Sequence, residues 1–371
     1  MSYSLATLWY ERQRYLPGVL AVGFSALLIA LQCGLLLGLF SITSIPVDRT
    51  SADIWLGAPE VLSVDLGRPI PESYFLRVAN EPEVQCTEIF TQGFAYWGKP
   101  NGGSELCVVI GSHLEADSLG AIKELTPTLR MRLTEPNSIV IDESELERLG
   151  VKGVGDIAEI SGRRVRIVGL IQGVKSLAGP YIFCSLTTAR PLLRLMPEQG
   201  TYVLAKCYHP ADAAAVVKKL GSYKNMSAFT SVDFSRRTQM HWLLKTKAGI
   251  ALGCAAALGL LVGAVVTSQT LYAATAASIR EYAVLQALGI PRWRMAGSVL
   301  AQAFWIGVIG IALAAPAVYG LQGGADALGA RILLPFALLA IAVSVTMTMA
   351  LLSGLAALRS LRLVEPATLL R

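Results

Sequence analysis

Two kinds of pattern alternate along the chain. Four stretches are predominantly apolar and uncharged: residues 18–40, 248–271, 298–320 and 333–355. Each reaches the roughly 20 residues a helix needs to cross a bilayer. Between the first and second lies a segment of another kind, residues 41–247. Its apolar positions alternate with polar ones over short runs, turns are frequent, and it is long enough to bury a core of its own. The pattern predicts an α+β membrane protein: four transmembrane helices with a large mixed α/β domain between the first and second.

Inside the large segment the elements can be named. Residues 53–56 read as a short strand and 68–71 as an extended linker. Residues 94–97 and 106–110 read as strands either side of a Pro100–Gly103 turn. Ile139, Val140 and Ile141 form a buried strand. Asp142 then caps a helix, with Glu145 three residues on in a capping-box arrangement and Gly150 as its end. A hairpin turns at Ser161-Gly162, a further strand covers 181–184, and 211–220 is a helix. Residues 233–247 read as a stalk helix running unbroken into the second span. Residues 1–17 have the helical spacing and the Trp9, Arg12, Arg14, Tyr15 set of a cytoplasmic interfacial helix, entering the membrane at Pro17-Gly18. The apolar run that follows is too long for a cleaved signal peptide and reads as a retained anchor.

Between the second and third spans, residues 272–297 form a short connecting loop that carries charge. Residues 280–294 read R-E-Y-A-V-L-Q-A-L-G-I-P-R-W-R. Tyr282, Leu285, Leu288 and Gly289 make an apolar stripe about one helix face wide. Gly289 and Pro291 end the helix. Such a helix rests its apolar face on lipid, or docks it in a groove on a separate ATPase as a coupling helix.

Composition narrows the class. At 53% hydrophobic and 16% charged residues the chain is no ordinary soluble enzyme. Residues 41–247 hold 23 basic and 22 acidic side chains, so the net charge of +6 arises mostly beside the spans. That is the signature of membrane-surface loops, and nucleic acid is not expected as a partner. Four spans place both termini (1–17 and the 356–371 tail) with the 280–294 turn on one side. That side holds Arg12, Arg14, Arg280, Arg292, Arg294, Arg359, Arg362 and Arg371. The other holds Arg49, Arg236, Arg237, Lys245, Lys247 and Arg331 near the spans. The excess favours cytoplasmic termini.

Catalytic chemistry is sparse. His113, His209 and His241 lack metal-ligand spacing. Residues 169–176 resemble a P-loop, but Lys175 does not follow Gly173 directly. No span carries a charged side chain, which argues against an ion-coupled carrier. No catalytic, metal or cofactor residue is expected. Gly249, Gly253, Gly259 and Gly263 give the small-xxx-small spacing that lets membrane helices pack closely. Cys86, Cys107, Cys184 and Cys207 could form two disulfides, Cys86 with Cys107 and Cys184 with Cys207 as the local pairing, or stay as buried thiols.

The whole order resembles the permease subunits of MacB/FtsX/Lol-type ABC systems. The 280–294 stretch matches their coupling element at Arg280, Glu281, Ala283, Ala287, Leu288 and Gly289. Residues 137–173 are similar to the domain segment these permeases share, and Pro366-Ala367 with Leu369-Leu370-Arg371 matches their C-terminus. Length, and the lack of a fused ATPase domain, resemble the DevC-like export permeases.

The resemblance implies a homodimer in the bacterial inner membrane, joined to two copies of an ABC ATPase subunit that binds the ATP. The chain itself would be no enzyme and hold no cofactor. Arg280, Glu281, Tyr282, Leu285, Leu288, Gly289 and Arg292 would receive the ATPase motion. The large domain, periplasmic or extracellular, would act on lipid, peptide or polysaccharide cargo, with a membrane-fusion adaptor and outer-membrane channel as further partners. The alternative is an FtsX-like regulator that switches a cell-wall hydrolase or a sensor kinase.

Overall fold

The computed structural model describes residues 10–100, 102–277, 291–327 and 332–362. The chain divides into two compact units, Met1–Gly38 with Ile250–Arg371, and Leu39–Gly249.

Helix α1, Arg12–Ser41, runs through Pro17 without a break. Pro17-Gly18, where membrane entry is expected, thus lies inside one continuous helix. Near the helix start, proline removes one hydrogen bond but already has the helical φ. A short α2, Ile45–Asp48, follows, then strand β1, Ile54–Gly57. Strand β2 is Ile70–Pro71, within the expected linker, and α3 is Ser73–Ala79.

Strand β3 spans Val84–Gly98, far longer than its expected core at 94–97. Strand β4, Ser104–Ser112, returns beside it, and α4, Pro127–Leu133, starts at a Thr126 cap. Strand β5, Ser138–Asp142, leads through a 3-10 turn into α5, Leu146–Leu149. Asp142 caps this turn by accepting the Ser144 N–H at 2.9 Å. Its second oxygen accepts the Val174 N–H at 2.7 Å. Glu145 pairs with Arg148 at 3.6 Å, so the reciprocal half of the expected capping box does not form. Gly150, at φ 70°, closes the helix left-handed, a conformation glycine takes without a Cβ clash.

Strands β6, Ile157–Ile160, and β7, Arg163–Ile171, make a tight hairpin. Ser161 and Gly162 both take positive φ, so the turn twist matches the strand twist. Then come β8, Tyr181–Ser185, α6, Leu186–Leu192, β9, Gln199–Gly200, and β10, Tyr202–Cys207. A 3-10 turn at Pro210–Asp212 precedes α7, Ala213–Leu220, and β11 is Ser227–Thr230.

The long β3 belongs to two sheet regions. Its N-terminal half lies in the order β11-β1-β10-β3, with Phe90 opposite Tyr202. Its C-terminal half pairs β4, and the order continues β4-β8-β5-β7-β6. Strand β6 pairs back onto β3 at Trp97–Ile160 and Gly98–Glu159, closing a six-stranded barrel. Trp97, Val109, Ile139, Ile167 and Ile182 fill the interior. Alternation sets the inward positions, as in Arg164–Ile167, where Val165 and Ile167 are buried between exposed Arg164 and Arg166; from Val168 on, both faces of the strand are apolar and Val168 joins the second core.

Helix α8, Ser231–Lys245, is the stalk. It stops at Thr246, whose backbone is extended (φ −95°, ψ 146°), and α9, Lys247–Ala277, begins anew. The expected continuous helix is thus two. The physical reason is capping: the Thr246 hydroxyl donates to the Trp242 carbonyl at 2.6 Å and accepts the Gly249 N–H at 3.0 Å. It closes one helix and starts the next.

Helices α10, Arg292–Ala327, and α11, Phe336–Arg362, complete the described chain. Among the described residues four segments are long and apolar enough to cross a membrane: Arg12–Ser41, Lys247–Thr270, Ala296–Ala325 and Phe336–Leu355. In the membrane unit Tyr15, Val19 and Val22 of α1 pack against Ile306 of α10 and Ala350 of α11.

All six cysteines are free thiols, so of the two alternatives the disulfides do not form. Cys107 lies opposite Ala95 on β3, whereas Cys86 lies opposite Lys206, nine residues earlier on the same strand. At about 3.3 Å per residue the two are far beyond disulfide reach. Cys184 sits on β8 in the barrel and Cys207 on β10 beyond β3.

Candidate functional site

Of the residues assigned to ATPase coupling, Arg280, Glu281, Tyr282, Leu285, Leu288 and Gly289 lie outside the described residues, and Arg292 opens α10. The described structure instead resolves the stalk in detail.

Stalk helix α8 is anchored by three layers of contact, all made by one face. Phe234, fully buried, meets Trp55 at 5.7 Å, Tyr202 at 5.6 Å and Phe229 in a stacked pair at 5.0 Å. Four residues on, the Thr238 hydroxyl accepts the Val64 N–H at 3.1 Å. Four further, the Trp242 indole N–H donates to Asp65 at 3.0 Å. The spacing 234, 238, 242 is one helical stripe. It was readable in the sequence, but its partners in the loop after β1 were not.

Flanking contacts hold the other sides. Arg237 donates to the Val61 carbonyl at 2.9 Å and covers the Phe229 ring at 5.2 Å. Gln239 donates to Ser44, beside α2, at 2.8 Å.

Asp65 is the electrostatic centre of this junction. It is 5% exposed, in the 3-10 turn Val64–Leu66, and its other oxygen accepts the Gln92 amide at 3.1 Å. Burial pushes its carboxyl up to about 6, against the lowering effect of hydrogen bonds that include those from Trp242 and Gln92. The side chain thus links the stalk to β3, the strand shared by barrel and sheet.

The small-residue positions in α9 divide. Gly259 lies under the Gln32 amide of α1, and a Cβ there would overlap it. Gly263 faces Ser25, whose hydroxyl lies 3.0 Å from the Gly263 carbonyl and 2.9 Å from the Thr267 hydroxyl. Gly253 has open space around its Cβ direction. Gly249 sits against the Trp242 and Leu243 backbone at the helix break.

A backbone-to-backbone crossing is made by a glycine pair outside that small-residue spacing. A Cβ on Gly310 of α10 would lie 2.9 Å from the Val19 carbonyl and 3.0 Å from the Gly23 nitrogen, and one on Gly23 would lie 3.0 Å from the Gly310 carbonyl. Here backbone meets backbone. Isolated glycines in two separate spans carry no spacing signal that pairs them.

The histidines are scattered: His113 follows β4, His209 precedes the Pro210 turn, and His241 lies on α8. Burial, with Lys245 and Arg237 nearby, lowers the His241 pKa. Among the described residues no group of three or more His, Cys, Asp or Glu side chains could hold a metal ion.

Comparison with known proteins places the C-terminal part. No curated protein matches the chain. Among solved structures, the periplasmic region of MacB from Actinobacillus actinomycetemcomitans is 12% identical, with a TM-score of 0.36, covering 51% of this chain and 94% of that one. The extracellular domain of the noncanonic ABC-type transporter YknZ from Gram-positive bacteria is 10% identical, with a TM-score of 0.34, covering 47% and 98%. Residues 253–366 match the family model described as FtsX-like permease C-terminal. The likeness to FtsX-like permeases thus lies in residues 253–366, the part of this membrane protein that holds its last three apolar spans.

Proposed function

We propose that this chain is the membrane subunit of an ABC-type exporter. It transmits ATP-driven motion from a separate ATPase to an extracytoplasmic domain that acts on lipid, peptide or polysaccharide cargo. The observation that carries the reading is the FtsX-like match over residues 253–366, which encloses the 280–294 stretch. The anchored stalk supports it. A helix fixed to its domain by Phe234, Thr238 and Trp242 moves that domain when it is moved.

In this reading two copies of the chain meet two ATPase copies in a bacterial inner membrane, with termini cytoplasmic and residues 41–247 outside. Residues Arg280, Glu281, Tyr282, Leu285, Leu288, Gly289 and Arg292 dock on the ATPase. An adaptor and an outer-membrane channel complete the export route.

The test is purification of the chain from native membranes in mild detergent, with identification of what stays bound. An ATPase subunit should co-purify, and should be lost when Glu281→Lys is combined with Gly289→Leu at unchanged expression. Absence of any ATPase from the wild-type preparation would overturn the proposal. A cell-wall hydrolase or sensor kinase in place of adaptor and channel would replace export with regulation.

A further inference from the structure

The large domain contains a cavity of about 910 Å³ that the stalk and the membrane helices do not use. It opens beyond the ends of β4 and β8, a parallel pair whose last residues, Ser112 and Ser185, lie opposite each other. Its walls come from the segments that leave those two strands and from α4. The volume is in the range of small-molecule sites.

The walls are prepared rather than loose. Glu88, buried on β3, gathers the 113–120 segment onto itself. It accepts the N–H groups of His113 at 3.1 Å, Leu119, and Gly120 at 3.3 Å, and the Ser118 hydroxyl lies 2.9 Å away. A carboxylate with this many donors fixes a loop that itself lies outside sheet and helix.

Chemistry of the lining points to one class of ligand. Leu114, Leu125, Met131 and Leu186 make much of the wall apolar. Two cations stand among them with no acidic partner among the described residues. Arg130, half-buried, spends its hydrogen bonds on carbonyls: Leu125 at 2.9 Å, Glu115 at 2.8 Å and Ala116 at 3.4 Å. Carbonyl oxygens orient a guanidinium but do not neutralise it. Lys123, exposed, has no ion pair among the described residues. Arg190, the third cation, is paired with Glu72, and Glu115 is the one acidic side chain in the lining.

We infer that this cavity is a binding site for a small anionic amphiphile, a molecule with an apolar body and one carboxylate or phosphate head. The body lies on Leu114, Met131 and Leu186, and the head lies between Arg130 and Lys123. A neutral hydrophobe would leave the cations unanswered, and a compact polar anion would leave the apolar wall wet. The site does not depend on the exporter reading, since it belongs wholly to the Leu39–Gly249 unit and binding needs no ATPase.

The test uses the full chain in nanodiscs of zwitterionic lipid, with amide hydrogen exchange read over residues 113–134 and 185–190. Reading at the cavity separates binding from partition into the lipid. Decanoate should slow exchange there saturably. Decanol and decylammonium should do so much less, and acetate not at all. Lys123→Glu with Met131→Glu changes two exposed side chains, Met131 being 67% exposed, so folding is kept. It should raise the half-saturation concentration roughly tenfold. No slowing by decanoate, equal slowing by decylammonium or by acetate, or an unchanged half-saturation in the double variant would each overturn the assignment.

Discussion

Trp242 of the stalk donates its indole N–H to Asp65, 3.0 Å away, and Asp65 holds Gln92 of β3 with its other oxygen. One carboxylate thereby joins the helix that leaves for the membrane to the strand on which both sheet regions are built. Its position sets the first prediction. Trp242→Phe keeps the ring and removes the donor, so a buried carboxylate oxygen loses its partner. The stalk should loosen by about 1–3 kcal/mol, seen as faster amide exchange through Ser231–Lys245. Unchanged exchange would mean the bond carries no load.

Asp65 also predicts a pH dependence. Its folded carboxyl sits at about 6, above the ordinary 3.8. Between those values the folded chain binds the proton more tightly than the unfolded one, so this group favours unfolding above pH 6 and that penalty is relieved as pH falls toward 3.8. The shift corresponds to a few kcal/mol, on the order of 1.4 per unit. Urea unfolding of the full chain, followed by tryptophan fluorescence at pH 7, 6 and 5, should show stability rising with acid relative to Asp65→Asn. A constant difference between the two proteins across that series would refute the assignment.

Phe234 is the apolar half of the same junction. Phe234→Ala empties a site bounded by Trp55, Tyr202 and Phe229 and should cost about 3–5 kcal/mol. Val232→Ala, at a position 79% exposed two residues away, should stay within about 0.5 kcal/mol. Thermal unfolding of the two variants side by side decides it.

The membrane glycines should not be equivalent. At Gly259 a new methyl meets the far end of the Gln32 side chain, which can swing aside. At Gly310 it meets the Val19 carbonyl and the Gly23 nitrogen, which cannot. Gly310→Ala should lower thermal stability in detergent clearly more than Gly259→Ala, and Gly253→Ala should be nearly silent. The reverse order would show that the α1–α10 crossing is not held at backbone contact.

Thiol chemistry gives a fifth test. Without reductant, the denatured chain should titrate six thiols. In the folded protein the exposed Cys86 should react with a maleimide, whereas Cys107 and Cys184 should not. Both are buried, and burial pushes the Cys107 thiol up to about 12 and that of Cys184 higher still.

What the sequence made legible follows from how local each signal is. The spans announce themselves because each is uncharged and mostly apolar over 20 residues or more. The Ser161-Gly162 hairpin announces itself because its turn needs positive φ at both residues. The barrel closure was not legible: Trp97 meets Ile160 through a pairing that no local pattern encodes. Strand β3 read as four residues because its first half alternates weakly, with Gln85, Cys86 and Thr87 ahead of the apolar run. The stalk break was missed for a different reason. Thr246 is an ordinary helix residue by composition, and only its hydroxyl, bonded to Trp242 and Gly249, reveals the cap. At the junction Phe234, Thr238 and Trp242 formed a visible stripe, but Asp65 lies 177 residues from Trp242 and offered no cue.

The extended residue at Thr246 has a mechanical consequence. A continuous helix is a stiff shaft that carries both tension and torque from one end to the other. A single extended residue between two helices still carries tension, because the covalent chain cannot stretch. Rotation about its φ and ψ would let α9 turn about its own axis without rewinding α8, but the Thr246 hydroxyl, bonded to both the Trp242 carbonyl and the Gly249 N–H, opposes that turn. Thr246 is therefore a latched joint, its latch a single side chain.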